Sequence, residues 1–128
     1  MTSVDITLPW PPSILSPNAR THWAVRARAV KAYRMACAWQ ALEQTTPEQR
    51  QAMRPADRLR VHVVFVPPDR RTRDADNCLA AVKAGLDGLA DALGVNDHRF
   101  VLSSELRVNG EIGGTVRVSV SVSPEVAT

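Results

Sequence analysis

Two carboxylates stand one residue apart in RRTRDADN, residues 70–77, directly behind three arginines. Hard divalent cations such as Mg²⁺ take a few carboxylate oxygens and complete their shell with water. Guanidinium groups beside them suit the phosphate such a cation engages. Asp74 and Asp76, with Arg70, Arg71 and Arg73, therefore match metal-assisted chemistry on a phosphate ester. The same pattern has a plainer reading. An aspartate at a helix start accepts hydrogen bonds from the free N–H groups of the first turn, where the helix dipole also favours negative charge. D-x-D-N is thus a helix-capping signature as well.

Further groups extend the chemical reading. Asp76, Lys83 and Asp87 fall on one side of the helix that follows, opposite a leucine stripe. Lys83 can reach over a bound phosphate and stabilise developing negative charge, or it can pair with Asp87 in an ordinary i,i+4 contact. A third aspartate, Asp97, comes just after that helix. A helix of about 18 residues is roughly 27 Å long, so spacing alone leaves open whether Asp97 returns to Asp74 and Asp76. Other catalytic patterns fail: there is no P-loop, no GxSxG and no Cys-His zinc spacing. An EF-hand loop would need a ligand where Cys78 stands. His22, His62 and His98 are scattered; His62 reads as strand packing, and His98 has either role open to it.

The elements that must position these groups are legible in outline. VDITLPW alternates at Val4, Ile6 and Leu8 and reads as a strand. The loop after it carries Pro9, Pro11, Pro12 and Pro17. Thr21 is placed to cap an alanine-rich helix running to roughly Leu42. Val25, Ala29, Ala32, Ala36 and Trp39, with Met35 and Leu42 beside them, form its expected core face. A polar connector follows, with room for one helical turn after Thr46. RLRVHVVFVPP becomes fully apolar at residues 63–66, as a central strand does. The second main helix spans roughly Ala75 to Leu93, with Leu79, Val82, Leu86, Leu89 and Leu93 inward and Gly94 as its C-terminal cap. Gly85 and Gly88 within it suggest close approach of another backbone. FVLSSELRV and GTVRVSVSV, joined by NGEIGG, predict an antiparallel hairpin. The order β-α-β-α-β-β implies an α+β fold: one small mixed sheet of about four strands carrying two main helices. The tail after Pro124 is expected to be loose.

A chain of 128 residues, 45% hydrophobic and 23% charged, suits one globular domain. It has no apolar segment long enough to span a bilayer. The N-terminus lacks the basic-then-apolar pattern of a secretory signal. Two cysteines without metal spacing agree with a reduced, cytoplasmic setting. The net charge of +3 is modest, but its distribution is uneven. Arg20, Arg26, Arg28, Lys31 and Arg34 occupy residues 20–34 without a single acid, and the arginine cluster at 70–73 is a second positive block. Basic flanks around an acidic centre suit a polyanion held over a metal; a solvated helix face plus a charged loop is the plain alternative.

ITLPWPPS near the start, the block R-x-R-D-x-D-N at residues 71–77 and the VND turn ending at Asp97 together resemble the RusA-type Holliday junction resolvases, in order along nearly the whole chain. The resemblance implies a small homodimeric, Mg²⁺-dependent endonuclease that cuts four-way DNA junctions, of a kind often carried by prophages. By it, Asp74, Asp76 and Asp97 are the metal ligands, with Mn²⁺ as an alternative ion and no small-molecule cofactor. Asn96 stands where familiar members carry the first of two aspartates. Ala80 stands where they carry a lysine, and Lys83 on the same helix face is the candidate substitute. Arg20, Arg26, Arg28, Lys31, Arg70, Arg71 and Arg73 are the expected DNA contacts. The competing readings are a non-catalytic module that binds junctions or other DNA, and a metal phosphohydrolase of small esters, for which so much positive surface has no use.

Overall fold

The computed structural model describes residues 2–107 and 112–122. Strand β1 (Ser3–Pro9) is followed by a 3₁₀ turn (Ser13–Leu15), helix α1 (Trp23–Glu43), short helix α2 (Pro47–Met53) and strand β2 (Leu59–Val66). Helix α3 (Ala75–Leu93), a 3₁₀ turn (Asp97–Arg99) and strands β3 (Phe100–Leu106) and β4 (Thr115–Val122) complete it. Among the described residues the fold is α+β, with three helices and one four-stranded mixed sheet. The tail after Pro124 and the first half of NGEIGG lie outside the described residues. Among the described residues, no helix is long and apolar enough to cross a membrane.

The sheet order is β1-β4-β2-β3. β4 is antiparallel to both β1 and β2, whereas β3 pairs with β2 in parallel. The expected β3–β4 hairpin is therefore not formed. The reason lies in the side chains. Val116, Val118 and Val120 give β4 an unbroken buried face and suit it to the middle of the sheet. Ser103, Ser104 and Glu105 leave β3 mostly exposed, as an edge strand tolerates. α3 supplies the crossover that a parallel β2–β3 pair requires. The connection into β4 runs over the end of β2, where Gly113 and Gly114 donate N–H bonds to the Pro67 carbonyl, at 2.9 and 3.2 Å.

Alternating residues of β1, β2 and β4 meet α1 and α3 in one core. α3 begins and ends where its periodicity predicts, and Gly94 closes it in the left-handed conformation at φ 71°. α2 is the turn foreseen after Thr46, held by a reciprocal cap between Thr46 and Gln49. α1 departs from expectation twice. Its N-cap is His22 rather than Thr21, with the ring Nδ1 accepting from Ala24 N at 3.2 Å. Its buried residues are Tyr33, Cys37 and Ala41, while Trp39 and Met35 stay 62% and 53% exposed. α1 is apolar on two sides. The side bearing Tyr33 wins the core because Tyr33 can both fill it and donate its hydroxyl to the Pro9 carbonyl at 2.7 Å.

Burial pushes the Cys37 thiol up to about 11 and raises that of Cys78 also. Neither has appreciable thiolate near neutral pH. The folded protein is expected to resist a colorimetric thiol reagent at pH 8, and to react at two sites once denatured. Fast labelling of the native chain would contradict this burial.

Candidate functional site

α3 carries the site because its two faces differ. Val82, Leu86, Leu89 and Leu93 are buried, and Asp76, Ala80, Lys83 and Asp87 lie on its outer side. Asp74 is the N-cap of α3, its Oδ1 accepting from Asp76 N at 2.8 Å and Asn77 N at 3.4 Å. The capping role foreseen for it is thus realised. Asp76 stands in the first turn at one end of a groove of about 400 Å³. Leu79, Leu86, Phe100 and Leu102 form its apolar part, and Asp76, Lys83, Asp87 and Asp97 its charged part.

The open question of Asp97 has a clear geometric outcome. After Gly94 the chain turns back, and Asn96 caps the next 3₁₀ turn by accepting from His98 N at 2.9 Å. This sets Asp97 beside the middle of α3, with Oδ2 3.8 Å from Lys83 Nζ. Lys83 Nζ also lies 3.9 Å from Asp87 Oδ1, the i,i+4 contact foreseen for it. Asp87 is the group that sequence reasoning undervalued. Burial raises its carboxyl above the ordinary range; Lys83 opposes this, and nearby Asp97 adds to it. Its i,i+4 spacing from Lys83 was a signal, but one that does not distinguish a surface ion pair from a shared groove.

Asp76 and Asp97 are therefore brought to one groove, whereas the Asp74 carboxylate is turned to its own helix. Among the described residues, no three His, Cys, Asp or Glu side chains are grouped to hold a metal ion. The oxygen donors present still fit Mg²⁺, which is commonly held by one or two carboxylates with water and substrate phosphate completing the shell.

The basic residues divide into two kinds. Arg26 is bound to the loop before α1, donating from Nη1 to Ile14 O at 2.9 Å and from Nη2 to Leu15 O at 3.3 Å. Arg34 makes a two-pronged pair with Asp91, at 2.7 and 2.9 Å. Arg73 meets Asp69 Oδ1 at 2.9 Å and lies over the Trp10 ring, 5.4 Å from its centroid. These three shape the scaffold, a use of arginine that a charge count does not reveal. Arg20, Arg28, Lys31, Arg70 and Arg71 are exposed.

Arg73, aided by the backbone N–H of Arg71, holds the Asp69 carboxyl down to about 2. A carboxylate favoured in the folded chain contributes stability that is complete above its ordinary 3.8 and is lost as pH falls through about 2. The arginine loop should accordingly stay latched at pH 4. Carboxyl titration by NMR should give Asp69 a midpoint near 2, moving up towards 3.8 in Arg73→Ala. An unchanged midpoint in that variant would remove Arg73 as the latch.

No family model matches the chain. It is 41% identical over 123 residues to a protein of Xylella fastidiosa described as uncharacterized, a match covering 88% of this chain and 74% of that one. The chain belongs to the same family as that Xylella protein.

Proposed function

We propose that this protein is a Mg²⁺-dependent, structure-specific endonuclease that resolves four-way DNA junctions, of prophage type, as its resemblance to the RusA-type resolvases implies. The observation that carries the reading is Asp97. It comes from a turn beyond the far end of α3, yet it lines the same groove as Asp76 and lies against Lys83.

Asp76 and Asp97 would hold the ion, with Asp74 at the adjoining helix cap. When bound, Mg²⁺ supplies charge neutralisation at the scissile phosphate and lowers the pKa of an attacking water. The chain's own groups do the rest. Lys83, 70% exposed at its side chain, orients a non-bridging phosphate oxygen. Arg70 and Arg71 hold neighbouring phosphates at the mouth of α3, and Arg20 and Lys31 add sequence-independent attraction that salt weakens. Two copies related by a two-fold axis match the symmetry of a junction cut on opposed strands. The direct test is incubation of the purified chain with labelled junction, flap and linear duplex DNA, with and without Mg²⁺. Paired incisions confined to the junction and dependent on the ion are expected.

One observation favours a second reading, a non-catalytic junction or DNA-binding module. The Asp74 carboxylate is already engaged in capping. In that case the junction is retarded in a gel at every Mg²⁺ concentration and never cut.

A further inference from the structure

The geometry points to the outer face of α1 as the surface on which a second copy of this chain docks, antiparallel, with the two-fold axis passing between Met35 and Ala36. At 100° per residue, Ala32, Met35, Trp39 and Leu42 share the side of α1 opposite Tyr33, Cys37 and Ala41, with Val25 and Ala36 at its edge. Four of them are large apolar groups left to solvent: Val25 at 39%, Met35 at 53%, Trp39 at 62% and Leu42 at 37% exposed. An apolar stripe along a whole helix that the fold does not cover is the mark of an interaction surface.

The order of side chains along the stripe names the occupant. About that two-fold axis, each position meets the one equally far on its other side. Ala32 meets Trp39 and Arg28 meets Glu43, each pair occurring twice by symmetry, and Met35 lies beside its own copy at the axis. The large Trp39 lies over the small Ala32, and each end closes with opposite charges. A parallel pairing would stack Trp39 on Trp39 and set Arg28 against Arg28. Among the described residues, neither Arg28 nor Glu43 has an ion-pair partner within its own chain, and both are exposed on this face. Arg28 was expected to contact DNA; here it has a protein partner instead. A nucleic acid would not favour a face with Glu43 at one end and tryptophan, methionine and leucine along it. A chemically unrelated partner gives no reason for the stripe to be complementary to itself. The inference names the surface of the homodimer in the proposed function and rests on that reading only for the dimer's purpose.

The test is oligomeric mass without DNA, by sedimentation or light scattering, across roughly 1 to 100 μM, the range in which a dimer of moderate affinity dissociates. The full chain should be a dimer, and Trp39→Glu a monomer with unchanged far-ultraviolet circular dichroism. Arg28→Glu and Glu43→Arg should each raise the dissociation constant by roughly tenfold, since each sets like charges together twice. The double variant Arg28→Glu/Glu43→Arg should return close to the parent value. Should Trp39→Glu fail to fold, Ala36→Cys provides a second measurement. Under mild oxidation it should form a covalent dimer, which Glu48→Cys on α2 should not. A monomeric parent, a dimer that survives Trp39→Glu, or a double variant no tighter than the singles would overturn the proposal. Loss of junction cleavage with an intact dimer would instead strike the nuclease reading alone.

Discussion

Asp76→Asn is expected to bind a four-way junction as tightly as the parent and to cut it at least about 100-fold more slowly, the scale of losing one preorganised electrostatic group from an active site. The substitution removes a charge and leaves shape and volume almost unchanged. Asp76 is exposed in the first turn of α3, so folding should not be at stake. The informative companion is Asp74→Asn. Asparagine caps helices about as well as aspartate, and the bonds Asp74 makes to Asp76 N and Asn77 N can be made by an amide oxygen. Asp74→Asn therefore spares the cap and tests only the charge. If Asp74 is a ligand as well as a cap, this variant falls with Asp76→Asn; if it is a cap alone, it stays active. Single-turnover cleavage with saturating protein, beside a bandshift in Ca²⁺, separates chemistry from binding. An Asp76→Asn variant that cuts at the parent rate would end the assignment of Asp76 to the catalytic site.

The second large effect is on stability. Gly88→Ala should lower stability by about 2 kcal/mol or more, and melting by at least roughly 6 °C for a chain of this size. Alanine ordinarily stabilises a helix interior by about 1 kcal/mol over glycine, so the expected sign is reversed. The reason is the crossing of α1 and α3. A methyl group at position 88 would be driven into the Arg34 carbonyl oxygen and would lie 3.1 Å from Ala38 N. Both are backbone atoms of α1 and cannot rotate aside. Gly85→Ala is the milder comparison, because its added carbon meets side-chain atoms, Tyr33 Cε2 at 2.8 Å and Cys37 Sγ at 2.9 Å. Thermal unfolding followed by circular dichroism should rank the parent above Gly85→Ala and Gly85→Ala above Gly88→Ala. A Gly88→Ala protein that melts at or above the parent would mean that the helices do not touch there.

Features set by local backbone geometry were legible in the amino-acid sequence: the bounds of α3, the left-handed Gly94 cap, the alternation of β1, the apolar centre of β2 and the shared face of Asp76, Lys83 and Asp87. Each follows from a repeat of two or 3.6 residues, or from the dihedral freedom of one residue. Tertiary structure alone decided the others. β4 entered between β1 and β2 because three valines had to be covered on both flanks, a matter of competition between strands that adjacency in sequence does not decide. α1 had two apolar sides, and only the shape of the available core chose the one with Tyr33 and Cys37. Arg26, Arg34 and Arg73 were drawn into scaffold contacts by carbonyls, carboxylates and a ring from elsewhere in the chain. Asp97 reached the groove through the path of a turn. For the strand order, the buried side of α1 and the Arg34–Asp91 pair, the deciding free energy lies between residues far apart in sequence, where periodicity carries no information.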